Sequence, residues 1–335
     1  MLILGIETSC DETAAAVIKD GTRILSSVVA SQVEVHREYG GVVPEIASRR
    51  HIEAIVPVVS RAIGDAKITA KDLDGVSVTQ GPGLVGALLV GFSFARAYAY
   101  ARGLPWTGVD HLHGHLNSVF LGQRAPDFPF AALLASGGHT AIYMVHSYTS
   151  YKCLGQTRDD AAGEAFDKVA KMLELGYPGG LVISRLAESG NPYNISFPRA
   201  YLDKNAFDFS FSGIKTAVKR YIETHADYQL RLPDIAAGFQ SAVVDVLADK
   251  LILAAEQHNC PRLALVGGVA ANDSLRKKVF SEAEARGMLV FVPEPSLCGD
   301  NGAMIAAAGY HTLSDPSAPR GRFDDDVYSR QKASP

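Results

Sequence analysis

Cysteine is scarce in this chain: Cys10, Cys153, Cys260 and Cys298 are the only four among 335 residues. They form no CxxC pair and show no even spacing, which excludes a disulfide framework and a zinc ribbon and fits reduced thiols in a cytosol. Long hydrophobic runs are missing too. The longest nearly apolar stretch, residues 83–95, runs into Arg96 and falls short of the roughly 20 residues that a bilayer demands. The first nine residues carry no basic n-region and reach Glu7 after a short apolar run, so no signal peptide is expected. These absences together predict a cytoplasmic protein without a membrane segment. A basic surplus is also lacking. The net charge is −4, whereas a dedicated polyanion binder usually carries excess Lys and Arg. Local basic clusters do occur at Arg49-Arg50-His51, from Lys215 to Arg220, at Arg276-Lys277-Lys278 and at Arg320 and Arg322. For any one of them a solvated helix face is the ordinary explanation.

What is present describes a folded enzyme-like chain. Hydrophobic residues make up 47% and charged residues 20%, and the length suffices for two cores. The pattern begins with a three-strand meander over residues 2–6, 13–19 and 23–31, turning at Asp20-Gly21. A helix is expected over 44–63 with a kink at Pro57, then a buried strand over 73–79. Gly81-Pro82-Gly83 breaks that strand and opens an apolar helix reaching about Arg102, and a short strand over 106–109 runs into His111. A second cycle follows. Strands are expected over 131–135, 140–145 and 151–155, then helices over 161–175, 214–225 and 233–257. A strand over 263–266 leads into Gly267-Gly268 and a helix from about Asn272; a strand over 289–292 and a last helix from about Gly299 complete the cycle.

The two halves share one order, and such coarse duplication is the first thing to look for. Two α/β domains, each a meander plus parallel strands, predict an actin-like (ASKHA, ribonuclease H-like) fold with its ligand cleft between the lobes. The expected division is a first lobe of residues 1–128 plus 296–325, with the C-terminal helix crossing back, a second lobe of 129–295, and a flexible tail over 326–335.

Four local patterns carry chemistry. The first meander turn, Glu7-Thr8-Ser9-Cys10-Asp11-Glu12-Thr13, crowds carboxylates and hydroxyls into one hairpin; Asp11 can act as a base or orient an attacking group, although Asp and Thr also suit turns. In the second meander turn, Ser136-Gly137-Gly138 lets backbone amides approach an anion. Gly267-Gly268 would lie under an adenine or ribose, with the Asn272 amide bonded to it. Asp110-His111-Leu112-His113-Gly114-His115 puts His111 and His115 at i, i+4 on one helical face, a spacing that suits two imidazoles on one metal. Ten histidines in this length give roughly 0.3 such pairs by chance, so spacing alone is weak. Leu112 stands where a zincin needs Glu, which counts against peptide hydrolysis. A third ligand has to come from far along the chain, and Asp300 is the candidate such a fold offers. On the helix over 161–175, Glu164, Asp167, Lys168 and Lys171 read as a salt-bridged face. The aromatic run Phe197, Tyr201, Phe207, Phe209 and Phe211 reads mainly as core under a long loop, with base stacking as the alternative.

Taken together, GIETSCDET (5–13), GGVVPEIA (40–47), GPGLVG (81–86), DHLHGH (110–115) and ASGGHT (135–140) resemble the TsaD/Kae-type family. So do DDAAGEAFDK (159–168), FSFSGIKT (209–216), VGGVAAN (266–272) and DNGAMI (300–305). The likeness covers essentially the whole chain. It implies a tRNA threonylcarbamoyltransferase that moves the threonylcarbamoyl group of L-threonylcarbamoyladenylate to N6 of the adenosine immediately 3′ of the anticodon. It implies one divalent ion, iron or else zinc, on His111, His115 and Asp300. Substrate contacts are implied from Leu134, Ala135, Ser136, Gly137, Gly138, Asp167, Gly180 and Asn272. The activated adenylate needs no protein nucleophile, and Asp11 is assigned to help the amine lose its proton. Implied partners are tRNA, a smaller actin-like paralogue (TsaB-like) and a small ATPase (TsaE-like), with no membrane. The family often has Pro directly after the Gly179-Gly180 pair, which follows the helix over 161–175, and an acidic residue three positions later; this chain has Leu181 and Ser184, so no ribose-binding carboxylate is carried over. Rival functions on the same fold are an ATPase or kinase, a metallopeptidase and a silent scaffold.

Overall fold

The computed structural model describes residues 1–201 and 206–330. The chain divides into two compact units, one of residues 1–125 together with 293 onward, the other of 126–292. Both crossings therefore fall three residues before the expected boundaries of 128 and 295. Of the expected tail, residues 331–335 lie outside the described residues, whereas 326–328 are hydrogen-bonded to the first unit through Gln80 and Asp110.

The first unit starts with strands β1 (Leu2–Glu7), β2 (Glu12–Lys19) and β3 (Arg23–Ser31), paired antiparallel. Helices α1 (Val33–Arg37) and α2 (Pro44–Asp65) come next. Then β4 (Gly75–Gly81), α3 (Val85–Arg102) and β5 (Trp106–Asp110) add two parallel strands, for the order β3-β2-β1-β4-β5. Helix α2 continues through Pro57; the proline removes one backbone donor without ending the helix. Strand β1 is apolar on both faces because both are covered. Leu4 and Ile6 join a cluster with Ile55, Val59 and Phe92 of α2 and α3. Ile3, on the opposite face, packs with Ala303, Ala306 and Ala307, as the two-residue period of a strand dictates. Short α4 (His111–Asn117) leads to the second unit.

That unit repeats the plan. Strands β6 (Phe130–Ala135), β7 (Thr140–Val145) and β8 (Tyr151–Gln156) form the meander. Helices α5 (Ala162–Met172), α6 (Gly179–Ala187), α7 (Ser212–Thr224) and α8 (Leu232–Gln257) follow. Strand β9 (Arg262–Val266), α9 (Asp273–Glu284) and β10 (Leu289–Phe291) close the order β10-β9-β6-β7-β8. Read from its meander edge, this sheet has the order of the first, so the duplication expected from sequence is present in the strand pairing. Phe197, Phe209 and Phe211 are buried, whereas Tyr201 is half-exposed. Most of the aromatic run is core.

Helices α10 (Pro295–Cys298) and α11 (Gly302–Ser314) return to the first unit. Helix α11 lies on β1 at backbone distance because both surfaces are small there. A Cβ on Gly5 would sit 2.2 Å from the Gly302 carbonyl oxygen and 2.5 Å from the Ala306 nitrogen. No described helix is long and apolar enough to cross a membrane. Gly5→Ala should force helix and sheet apart and destabilise the protein by about 2 kcal/mol, in the range of other overpacking changes; urea unfolding at constant m-value measures it.

Candidate active site

In the first unit the chemistry collects at the ends of β1, β5 and α10. Glu7 closes β1 and is wholly buried, yet both of its carboxylate oxygens have polar partners. Its oxygens accept from the Ser9 amide and the Thr79 hydroxyl, and His111 Nδ1 lies 3.1 Å away. Ser9 Oγ also approaches His111 Nδ1, at 3.2 Å. These bonds fix the imidazole so that its other nitrogen, Nε2, is turned toward Asp300.

Helix α4 is started by Asp110, whose Oδ1 accepts from the Leu112 and His113 amides as an N-cap should. One turn of this helix brings His111 and His115 edge-to-face, ring centres 4.7 Å apart. Asp300 stands just before the N-cap of α11, Asn301. Asn301 accepts from the Met304 amide and donates to the Gly299 carbonyl, which pins the loop. Asp300 Oδ1 lies 3.1 Å from His115 Nε2 and 3.6 Å from His111 Nε2. One ligand atom from each of the three residues falls within 4.8 Å of the others. A divalent ion about 2.0–2.1 Å from each ligand leaves neighbouring ligand atoms about 3.0–3.4 Å apart, so this donor set is compatible with one ion. His113 points away from the trio. Its Nε2 lies 3.7 Å from Asp110, and burial lowers its pKa to about 4.

Charge within the turn is uneven. Burial works against a charged His111, but the Asp300 and Glu7 carboxylates outweigh it and raise the imidazole to about 9. Asp11, the residue assigned to proton removal, is buried in the same turn. Its neighbour Glu12 is raised to about 9 by desolvation and by Asp11, and accepts from Ser31 Oγ.

In the second unit the Ser136-Gly137-Gly138 turn joins β6 to β7. Leu134, Ala135 and Ser136 are buried, so of that stretch Gly137 and Gly138 are the residues that present surface to a ligand. The Gly163 amide, at the start of α5, donates to the Ser136 carbonyl. Asp167 Oδ1 accepts from the Gly179 amide at 2.7 Å and ties α5 to the start of α6 beside Gly180. Asn272 caps α9 through its carbonyl oxygen and donates to Gln240 at 2.8 Å and to Ser184 at 3.4 Å. The structure thus gathers Asp167, Gly180, Ser184 and Asn272 on α5, α6 and the α9 cap, with Asp167 and Asn272 each holding backbone as well.

Three participants were missed in the sequence. Glu7 is visible in the sequence as one carboxylate of the crowded first turn, but nothing local shows that it holds His111. Asp110 and Asn301 are caps whose signal, Asp or Asn before a helix, was present in DHLHGH and DNGAM. The basic clusters, in turn, are largely engaged. His51 is buried between Thr13 and the Cys10 carbonyl, Arg49 and Arg50 pair with Glu45 and Glu53, and Lys215 and Lys278 pair with Asp160 and Asp245. Lys168 bridges Glu164 and Asp160, as the salt-bridged reading of that helix expects.

The Glu12 carboxyl makes a pH-dependent stability term. Its pKa rises from 4.5 to about 9 on folding, so its contribution is fully present below pH 4.5 and is lost as pH climbs toward 9. Glu12→Gln should reduce the loss of stability between pH 5 and pH 9; denaturant midpoints at both pH values for both proteins measure this.

The TsaD family model, described as tRNA N6-adenosine threonylcarbamoyltransferase, matches residues 23–307. A protein of that name from Desulforapulum autotrophicum is 58% identical over 333 residues, covering 99% of each chain. Another from Syntrophus aciditrophicus is 51% identical over 316 residues, covering 94% of this chain and 93% of its own. Among solved structures, HypF from T. kodakarensis aligns with a TM-score of 0.62 at 15% identity, over 93% of this chain and 47% of its own. The activator of the 2-hydroxyisocaproyl-CoA dehydratase from Clostridium difficile, with bound ADPNP, aligns at 0.54 and 14% identity, over 94% and 96%. At such identities the structural likeness shows the fold alone, and that fold is the actin-like ASKHA architecture. The sequence likeness reaches further: end to end, this chain belongs to the TsaD family of tRNA N6-adenosine threonylcarbamoyltransferases.

Proposed function

We propose that the chain transfers the threonylcarbamoyl group of L-threonylcarbamoyladenylate to N6 of the adenosine immediately 3′ of the anticodon, in tRNAs reading codons that begin with A. The observation that carries its chemistry is the convergence of His111 Nε2 and His115 Nε2 on one oxygen of Asp300. Two imidazoles and a carboxylate suit iron(II) as well as zinc, with coordination positions left open. When bound, the ion would supply a Lewis acid that orients the adenylate and stabilises developing negative charge. Glu7 holds the His111 ring and its tautomer, and Asn301 holds the Asp300 loop.

The second unit would receive the adenylate. A Cβ on Gly137, Gly138 or Gly180 would enter open space, and none of the three has a left-handed backbone. Neither packing nor conformation therefore asks for glycine there, whereas close approach by a phosphate or ribose does. Asp167 and Asn272 frame that surface, Leu134 and Ala135 support it from below, and the Ser136 hydroxyl, which accepts from the His139 amide, holds the turn in shape. In the reaction a bond forms between N6 and the carbamoyl carbon, and the bond from that carbon to the phosphate oxygen breaks. AMP leaves with the electron pair, and the N6 proton passes to Asp11. His115→Ala should lower metal content at least tenfold by elemental analysis and lower threonylcarbamoyladenosine formation in parallel, read by mass spectrometry of tRNA nucleosides. Full metal occupancy in that variant would remove His115 from the ligand set.

The first unit also suits a partner chain. Helices α2 and α3 bury one side of each in their own core but leave Ile52 and Val56 at 65% and 56% exposure, and Val85 and Leu89 at 46% and 42%. Adjacent exposed aliphatics of this kind mark interaction surfaces. A TsaB-like paralogue would cover them, a TsaE-like ATPase would join the assembly, and tRNA would gain contacts that a chain of net charge −4 supplies poorly. The isolated chain should give negligible transfer, restored when both partners are added; robust multi-turnover modification by the chain alone would refute the requirement.

A further inference from the structure

The end of the described chain is a strap that runs back over the edge of the first sheet. The Gly321 amide donates to the Trp106 carbonyl at 2.8 Å. The Arg96 guanidinium donates to the carbonyls of Phe323 and Asp325 and lies over the Phe323 ring. Gln80 Nε2 donates to the Asp326 carbonyl at 2.8 Å, and the Tyr328 amide returns a bond to the Gln80 carbonyl at 3.1 Å. The strap then passes over Gly81. That residue has φ +152°, and a Cβ on it would sit 2.1 Å from the Tyr328 carbonyl oxygen, so only glycine leaves room.

Gly81 is paired in register with Asp110 across β4 and β5. From this seat the Tyr328 phenol reaches Asp110 and donates to Oδ2 at 2.8 Å. The other oxygen, Oδ1, is the one that caps α4 through the Leu112 and His113 amides. A single carboxylate thus joins the strap to the first turn of the helix that carries His111 and His115. A helix of seven residues is too short to hold its own first turn without a cap, and a carboxylate caps only in the rotamer that aims one oxygen at those amides.

We propose that Tyr328 is a positioning residue for the metal-binding helix: its phenol holds Asp110 in the capping rotamer and so keeps His111 and His115 at the spacing that Asp300 meets. The inference rests on the metal-site reading given above. Freed on Oδ2, Asp110 has a competing neighbour in His113, whose Nε2 lies 3.7 Å from the capping oxygen. A turn toward it would release the amides of Leu112 and His113 and loosen the first imidazole.

Tyr328→Phe removes the hydroxyl and leaves the ring. Hydrogen–deuterium exchange on the metal-free protein should show the Leu112 and His113 amides exchanging several-fold faster, with β1 unchanged. Titration with iron(II) against a chelator should show affinity about tenfold weaker, the low end for loss of an outer-shell partner. Asp110→Ser retains a capping oxygen but loses the phenol's partner; on that background Tyr328→Phe should add nothing. Wild-type exchange at Leu112 and His113, unchanged metal affinity, or full additivity of the two substitutions would each overturn the proposal. A wild-type protein that bound no iron(II) would instead sink the metal reading, and the exchange rates would still decide the latch.

Discussion

Everything in the first unit's site depends on a carboxylate that has no business in a hydrophobic sheet. Glu7 ends an otherwise apolar strand and is wholly buried, and a buried ion is costly unless it is paired and its lone pairs are filled. Three groups fill them: the Ser9 amide, the Thr79 hydroxyl and the His111 ring. Each comes from a different segment, so satisfying Glu7 fixes the β1–β2 turn, the end of β4 and the start of α4 relative to one another. The imidazole that results from this arrangement has its second nitrogen, Nε2, aimed at Asp300. The pair has opposite signs of shift, Glu7 lowered by His111 against burial and His111 raised by Asp300 and Glu7 against burial. Buried charge here sets geometry more than it adds stability.

Much of the fold was legible because it rests on patterns of period two. Strands of the two meanders alternate faces or are covered on both, and their turns carry Gly, Asp or Ser, so they fall where the pattern puts them. Helix α6 was not legible. It begins with Gly179-Gly180, which reads as a turn in isolation, and it becomes a helix because Asp167 accepts from the Gly179 amide and because α8 packs against it. Helix α4 hid for a related reason: it is short and rich in histidine, so its helical state comes from the Asp110 cap rather than from propensity. At the site, residue types pointed to His111, His115 and Asp300, but nothing local could reveal that Glu7 reaches across 104 residues to His111.

The basic clusters show how sequence and surface diverge in a different manner. All were solvated-looking, yet they fall into two classes once burial is known. Arg49 and Glu45 are each 76% exposed, and a pair in that setting contributes only about 0–1 kcal/mol; a phosphate can take the place of its carboxylate at little cost. Lys278 is 30% exposed and Asp245 22%, with Arg199 on the same carboxylate, so this cation is committed to the fold. His51 is lost to the surface altogether. Counting charges cannot separate these cases, because the deciding variable is how much water each pair keeps.

The duplication makes the turn between the first two strands directly comparable in the two units. Both units begin with a hairpin between their first two strands, in the same position within sheets of the same order. In the first unit that hairpin is filled with carboxylates and hydroxyls from Glu7 to Thr13. Its equivalent, Ser136 to His139, has two glycines with open space above them. A side-chain-rich turn can orient a cation and move a proton; a bare turn can only offer backbone amides and room, which is what a phosphate and its sugar require. Neither turn can do the other's work, since adding side chains to the second closes the approach and stripping the first leaves His111 without the carboxylate that orients it. A duplicated scaffold thus supplies one geometry twice, and in the proposed function the division of labour would follow from which copy keeps its side chains.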